Sequence, residues 1–161
     1  MREISRDDII TTAVSRLSQH RLLTITGPGG IGKTTVAVAA AEATSASYPD
    51  GVWFVGLSTI IDAALVPGAV GATLGMLPSD IDPLTALAAW LREKHLLIVL
   101  DCCEHVVSAA AAIAEAVLRV GPACAFLQPA ANHCACKVSG CCACPHWRFH
   151  QGRLRRALLM H

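Results

Sequence analysis

Residues 27–34 read Gly-Pro-Gly-Gly-Ile-Gly-Lys-Thr and match the spacing G-x-x-x-x-G-K-[ST] at every fixed position. Few features constrain a chain so tightly. Glycines allow backbone angles and a close approach that side chains would prevent. A loop built this way aims successive N–H groups into one concavity. A helix opening after it adds its positive end, equivalent to about half a charge. The chemistry that suits such a cradle is a polyphosphate. On this reading Gly27, Pro28, Gly29, Gly30, Ile31 and Gly32 wrap the phosphates. Lys33 bridges the β- and γ-phosphate oxygens, the Thr34 hydroxyl coordinates magnesium, and Thr35 reaches the α-phosphate.

The flanking sequence supplies the context such a loop needs. Residues 22–26 (Leu-Leu-Thr-Ile-Thr) form an apolar, β-branched run that reads as a buried strand. Residues 33–44 are alanine-rich, contain no breaker and read as a helix. A second strand, residues 52–55, is entered through the turn signal Pro49-Asp50-Gly51. Asp62 is expected to cap a helix running to about residue 72, with Pro67 a weak point inside it. Asp82-Pro83 marks another helix start, an acidic cap followed by proline at the first helical position, and that helix is expected to reach about Lys94.

Residues 96–100 (Leu-Leu-Ile-Val-Leu) are continuously apolar, as in a strand covered on both faces in the middle of a parallel sheet. Asp101 follows at the carboxyl end of that strand, where ligands bind in open α/β sheets. It is the second expected magnesium-side oxygen, beside Thr34. Many ATPases of this kind place a carboxylate directly after that aspartate to polarise the attacking water. Here that place is Cys102, a poor base, and Glu104 is the nearest carboxylate candidate. Its alternative role is an acid at a helix N-terminus, since residues 104–120 read as a further helix. Lys33, Asp101 and Glu104 are thus the candidate catalytic residues. Alternating strands and helices give an α/β class, a three-layer P-loop fold around a parallel sheet.

These stretches resemble the STAND/NB-ARC branch of P-loop ATPases, closest to the nucleotide-binding domains of bacterial regulators of the LuxR and winged-helix type. The resemblance is carried by RLLTITGPGGIGKTTVAVAAAE, DGVWFVGLSTIIDAALVPGAVGATLGM, DPLTALAAWLREKHLLIVLDCCEHV and AAAIAEAVLRVGP, over roughly residues 1–123. It implies a signalling ATPase domain, a nucleotide switch inside a longer regulator, taking ATP or ADP with magnesium. It further implies that Arg6, in Ile4-Ser5-Arg6-Asp7-Asp8, lies against the adenine, although Ser5 stands where the family has glycine. Cys102 stands where the family usually has asparagine.

After Pro122 the pattern changes. Residues 1–120 carry all 12 carboxylates and a balance of −4, whereas residues 121–161 carry five Lys/Arg, no carboxylate and six of the eight cysteines. The family continues with a strand ending in a Thr-Ser-Arg-like sensor. Residues 124–127 could form a short strand, but they lead to Gln128-Pro129 instead. The expected division is therefore a nucleotide-binding domain over 1–122, incomplete at its C-terminal end, and an irregular Cys-rich basic tail over 123–161. A shifted reading frame is one explanation of the tail. Zinc held by Cys134, Cys136, Cys141 and Cys144 is another, although C-x-C and C-C-x-C are not the usual finger pairs. Arginines 148, 153, 155 and 156 could meet nucleic-acid phosphates, but DNA contact is not supported within this chain. Partners beyond the nucleotide would be other domains of a regulator. No uncharged run reaches the ~20 apolar residues of a spanning helix. With no secretory signal at the start, the chain reads as cytoplasmic.

Overall fold

The computed structural model describes residues 5–121, 123–131, 142–143 and 148–151. Four strands, β1 (Leu22–Gly27), β2 (Val52–Gly56), β3 (Leu97–Asp101) and β4 (Ala125–Ala131), run parallel in the spatial order β2-β3-β4-β1. Two short strands, β5 (Cys142–Ala143) and β6 (Arg148–Gln151), extend the sheet beyond β1, where β6 pairs antiparallel with it. Five helices cover the sheet: α1 (Arg6–Gln19), α2 (Lys33–Ala43), α3 (Val66–Thr73), α4 (Pro83–Leu91) and α5 (Val107–Val120).

The strands alternate their side chains between two separate cores, as a pleated strand must. Leu22, Ile98, Leu100 and Phe126 enter one core with α3, α4 and α5. Leu23, Ile25, Leu97, Val99, Ala125 and Leu127 enter the other with α1 and α2. All six residues of β1 are buried, which is why its sequence reads as a run rather than an alternation. The helices bury stripes at helical spacing, as Ala110, Ile113, Ala114, Val117 and Leu118 do on α5. The expected three-layer α/β architecture is the one found.

Several boundaries move for local reasons. Helix α1 was not anticipated; its start is a capping box, in which the Ser5 hydroxyl accepts from the Asp8 N–H and the Asp8 carboxylate accepts from the Ser5 N–H. Asp62 caps a 3₁₀ turn at Ala63–Leu65, accepting from the Ala64 N–H. The α-helix begins only at Val66, so Pro67 sits in its first turn and breaks nothing. Helix α4 starts at Pro83 as expected, with Asp82 accepting from the Thr85 N–H, but stops at Leu91. Glu104 and His105 lie in a turn ahead of α5.

The larger correction concerns the segment after residue 122, expected to be irregular. β4 lies there and occupies the middle of the sheet, between β3 and β1. It also runs through Gln128-Pro129, which read as a strand end. Neighbouring residues of a strand send their N–H groups to opposite sides. Ala125 N–H donates to Leu96 on the β3 side, and Phe126 N–H donates to Arg21 on the β1 side. Residue 129 therefore faces β3, beyond the last β3–β4 pair at Val99 and Leu127. Proline's missing donor falls where no ladder bond is made.

Candidate functional site

Because β1 to β4 are parallel, their carboxyl ends share one edge of the sheet. β1 delivers the glycine loop to that edge and β3 delivers Asp101, with β4 between them. The loop makes its turn at Gly30 (φ 74°) and Gly32 (φ 91°), both in the left-handed region open to glycine. Gly32 is the N-cap of α2 and provides no capping side chain, so the first turn of α2 opens toward the loop. Side chains built at Gly29 or Gly30 would meet only open space, so the mouth of the loop is clear.

The ammonium of Lys33 lies across this loop, donating to the carbonyl oxygens of Gly27 at 3.0 Å and Pro28 at 2.9 Å. It is the cation a phosphate would meet, held by neutral acceptors that a charged oxygen can replace. Thr34, exposed at the start of α2, donates its hydroxyl to Oδ1 of Asp101 at 2.9 Å. Two residues 67 apart in sequence thus bring hard oxygen ligands into contact, a donor set suited to magnesium. Arg6 also reaches the loop: its Nη2 lies 3.4 Å from the position a Cβ on Gly32 would occupy. Thr35 Oγ1 lies 4.0 Å from the same point, so the sequence-expected residues of the cradle do converge.

The turn after Asp101 has an unexpected backbone. Cys102 has φ 55°, the left-handed region, which glycine tolerates best and asparagine next. Its thiol is held above the usual range, first by burial, then by the neighbouring Asp101 charge and hydrogen bond, and last by the Glu104 charge. A thiol kept protonated in this way cannot take a proton from water. Glu104 itself is exposed and close enough to Cys102 to act on it electrostatically. Cys103 is fully buried, its sulfur 2.7 Å from the Gln128 amide nitrogen on β4. β4 then ends in Pro129, Ala130 and Ala131, with no arginine.

Cys134, Cys136, Cys141 and Cys144, the zinc candidates, lie outside the described residues, as do arginines 153, 155 and 156. Among the described residues no group of three or more His, Cys, Asp or Glu could hold a metal ion, and no helix is long and apolar enough to cross a membrane.

No protein-family model matches the chain. Over 107 residues it is 33% identical to "Uncharacterized protein Rv0894" of Mycobacterium tuberculosis, a match covering 66% of this chain and 27% of that protein. Over 108 residues it is 35% identical to "Putative HTH-type transcriptional regulator Rv0890c" of the same organism, covering 66% of this chain and 12% of the regulator. The chain therefore spans only a minor part of the relatives it matches. Among solved structures it is similar to the Aeropyrum pernix ORC2 protein in its ADPNP–ADP complexes, with a TM-score of 0.56 and 16% identity over 79% of this chain and 40% of that one. At that identity the likeness concerns the fold. Together with the strand order and the glycine loop, it shows that the chain has a three-layer α/β fold of the P-loop type.

Proposed function

We propose that the chain binds ATP or ADP with magnesium, as the nucleotide-switch domain of a STAND/NB-ARC-type transcriptional regulator working in the cytoplasm. The observation that carries this reading is the 2.9 Å contact between Thr34 and Asp101 at the mouth of the glycine loop. The similarity to a longer protein named as an HTH-type regulator supports the regulator context, and the ADPNP–ADP complexes of the ORC2 protein support an adenine nucleotide as ligand.

In this reading the backbone of residues 27–32 receives the phosphates. Lys33 leaves the carbonyl oxygens of Gly27 and Pro28 for the β- and γ-phosphate oxygens, exchanging two neutral acceptors for charged ones. Thr34 and Asp101 would hold magnesium, which when bound neutralises phosphate charge. Thr35 takes the α-phosphate, and Arg6 borders the nucleotide from the start of α1. Hydrolysis is weak at most. Cys102 offers no base, Glu104 stands in the exposed turn, and β4 supplies no arginine to stabilise developing charge.

The test is titration of the intact chain with a fluorescent ATP analogue and with its ADP counterpart, in magnesium and in chelator, followed by a turnover assay. Saturable binding of both, tightened by magnesium and accompanied by slow turnover, is the expected result. Absence of saturable binding would refute the proposal.

A further inference from the structure

Four residues beyond Asp101, His105 is exposed while the next residue, Val106, is buried in the core. Its Nε2 lies 2.7 Å from the carbonyl oxygen of Ile60. A carbonyl oxygen only accepts, so Nε2 carries the proton and donates, whatever the state of Nδ1. Ile60 belongs to the turn after β2, where its N–H donates to the carbonyl of Leu57 at 3.1 Å. Leu57 N–H in turn donates to the carbonyl of Asp101 at 2.9 Å. The turn after β2 is therefore bonded to the Asp101 turn at both ends: through the Asp101 backbone on one side and through the His105 ring on the other.

Cys102, with its left-handed φ of 55°, lies between those two attachments. A cysteine held there has lower-energy backbone alternatives and persists only while its surroundings dictate the turn. Freeing the His105 end would allow Cys102 to leave that conformation, and Asp101, the preceding residue, would lose its facing position toward Thr34. We propose that His105 is a positioning residue: its bond to Ile60 keeps the Asp101 carboxylate opposite the Thr34 hydroxyl and so sets how much magnesium strengthens nucleotide binding. The inference rests on the reading of this site as a magnesium–nucleotide cradle.

The full chain and the variants His105→Ala, His105→Asn, His105→Gln and Asp101→Asn would be titrated with a fluorescent ATP analogue, in magnesium and in chelator. Thermal melts would be recorded alongside. The wild type should bind more tightly with magnesium, and Asp101→Asn should lose that gain. His105→Ala and the short His105→Asn should keep the metal-free affinity and lose about fivefold of the magnesium gain, the size of one net hydrogen bond. His105→Gln, whose amide can donate to the same carbonyl, should restore part of it. A full magnesium gain in His105→Ala and His105→Asn would overturn the inference. So would an equal fall of metal-free and metal-bound affinity together with lowered melting, which would make His105 a mere brace. A wild type that binds ATP without any magnesium gain, or not at all, would instead overturn the underlying reading, and the inference with it.

Discussion

At Asp101 and the residue after it, one position is optimised and its neighbour is not. Asp101 ends a buried strand and meets Thr34 at 2.9 Å. Cys102, directly after it, adopts φ 55° without being glycine or asparagine. A left-handed conformation costs a residue with a Cβ about 1–2 kcal/mol, and asparagine offsets part of that through local hydrogen bonding. Cys102→Asn should therefore raise stability by about 0.5–1 kcal/mol, read as a higher urea midpoint at unchanged slope. A lower midpoint would show that the thiol makes contacts worth more than the strain it bears. The candidate site residues were legible in the sequence because a phosphate cradle has a fixed spelling: Gly27 to Gly32, Lys33 and Thr34 are picked out by spacing, and Asp101 by its place after five apolar residues. The tie from His105 to Ile60 was not, since a side chain donating to a backbone carbonyl 45 residues away leaves no local pattern.

Among the elements, helices with one strong boundary signal were readable and those with two weak ones were not. Helix α4 announced itself through Asp82-Pro83. Helix α1 escaped because its cap, Ser5 with Asp8, overlaps a charged segment whose apolar stripe of Ile9, Ala13 and Leu17 is thin. The end of α5 depends on a partner far away in sequence. Arg21, just before β1, donates to the carbonyls of Leu118 at 3.1 Å and Cys124 at 3.0 Å, and also to that of Gly121. One guanidinium thus satisfies carbonyls at the negative end of α5 and at the entry to β4. Arg21→Ala leaves those acceptors without it and should lower stability by about 2–3 kcal/mol in urea unfolding, given roughly 1 kcal/mol net for each bond. A loss below roughly 0.5 kcal/mol, the range of an ordinary surface substitution, would mean that water replaces Arg21 at no cost.

For the whole molecule, the sheet is where sequence reading and structure diverge most. The α/β class and the parallel core followed from the runs at residues 22–26, 52–55 and 96–100. The central position of β4 did not, because Gln128-Pro129 carries turn chemistry, and only the side of the strand that Pro129 faces makes it tolerable. If β4 fills the sheet as described, Phe126, with no exposed surface, is a core residue shared with α3, α4 and α5. Phe126→Ala should then cost about 3–5 kcal/mol. Unchanged stability would place the segment after residue 122 outside the cooperative unit. A buried β4 also bears on function, since it separates β1 from β3 and so sets the spacing between the glycine loop and Asp101.

The most direct test of the proposed nucleotide site is calorimetric titration of magnesium–ATP into the intact chain and into Lys33→Ala. Among the described residues the Lys33 ammonium donates to two loop carbonyls, so its removal should leave the fold intact. One or two charge-assisted hydrogen bonds to phosphate amount to roughly 10- to 100-fold in affinity. Saturable binding by the wild type, weakened by about that factor in Lys33→Ala with an unchanged melting temperature, is the predicted result. Equal binding by the two proteins would contradict a phosphate cradle at residues 27–34.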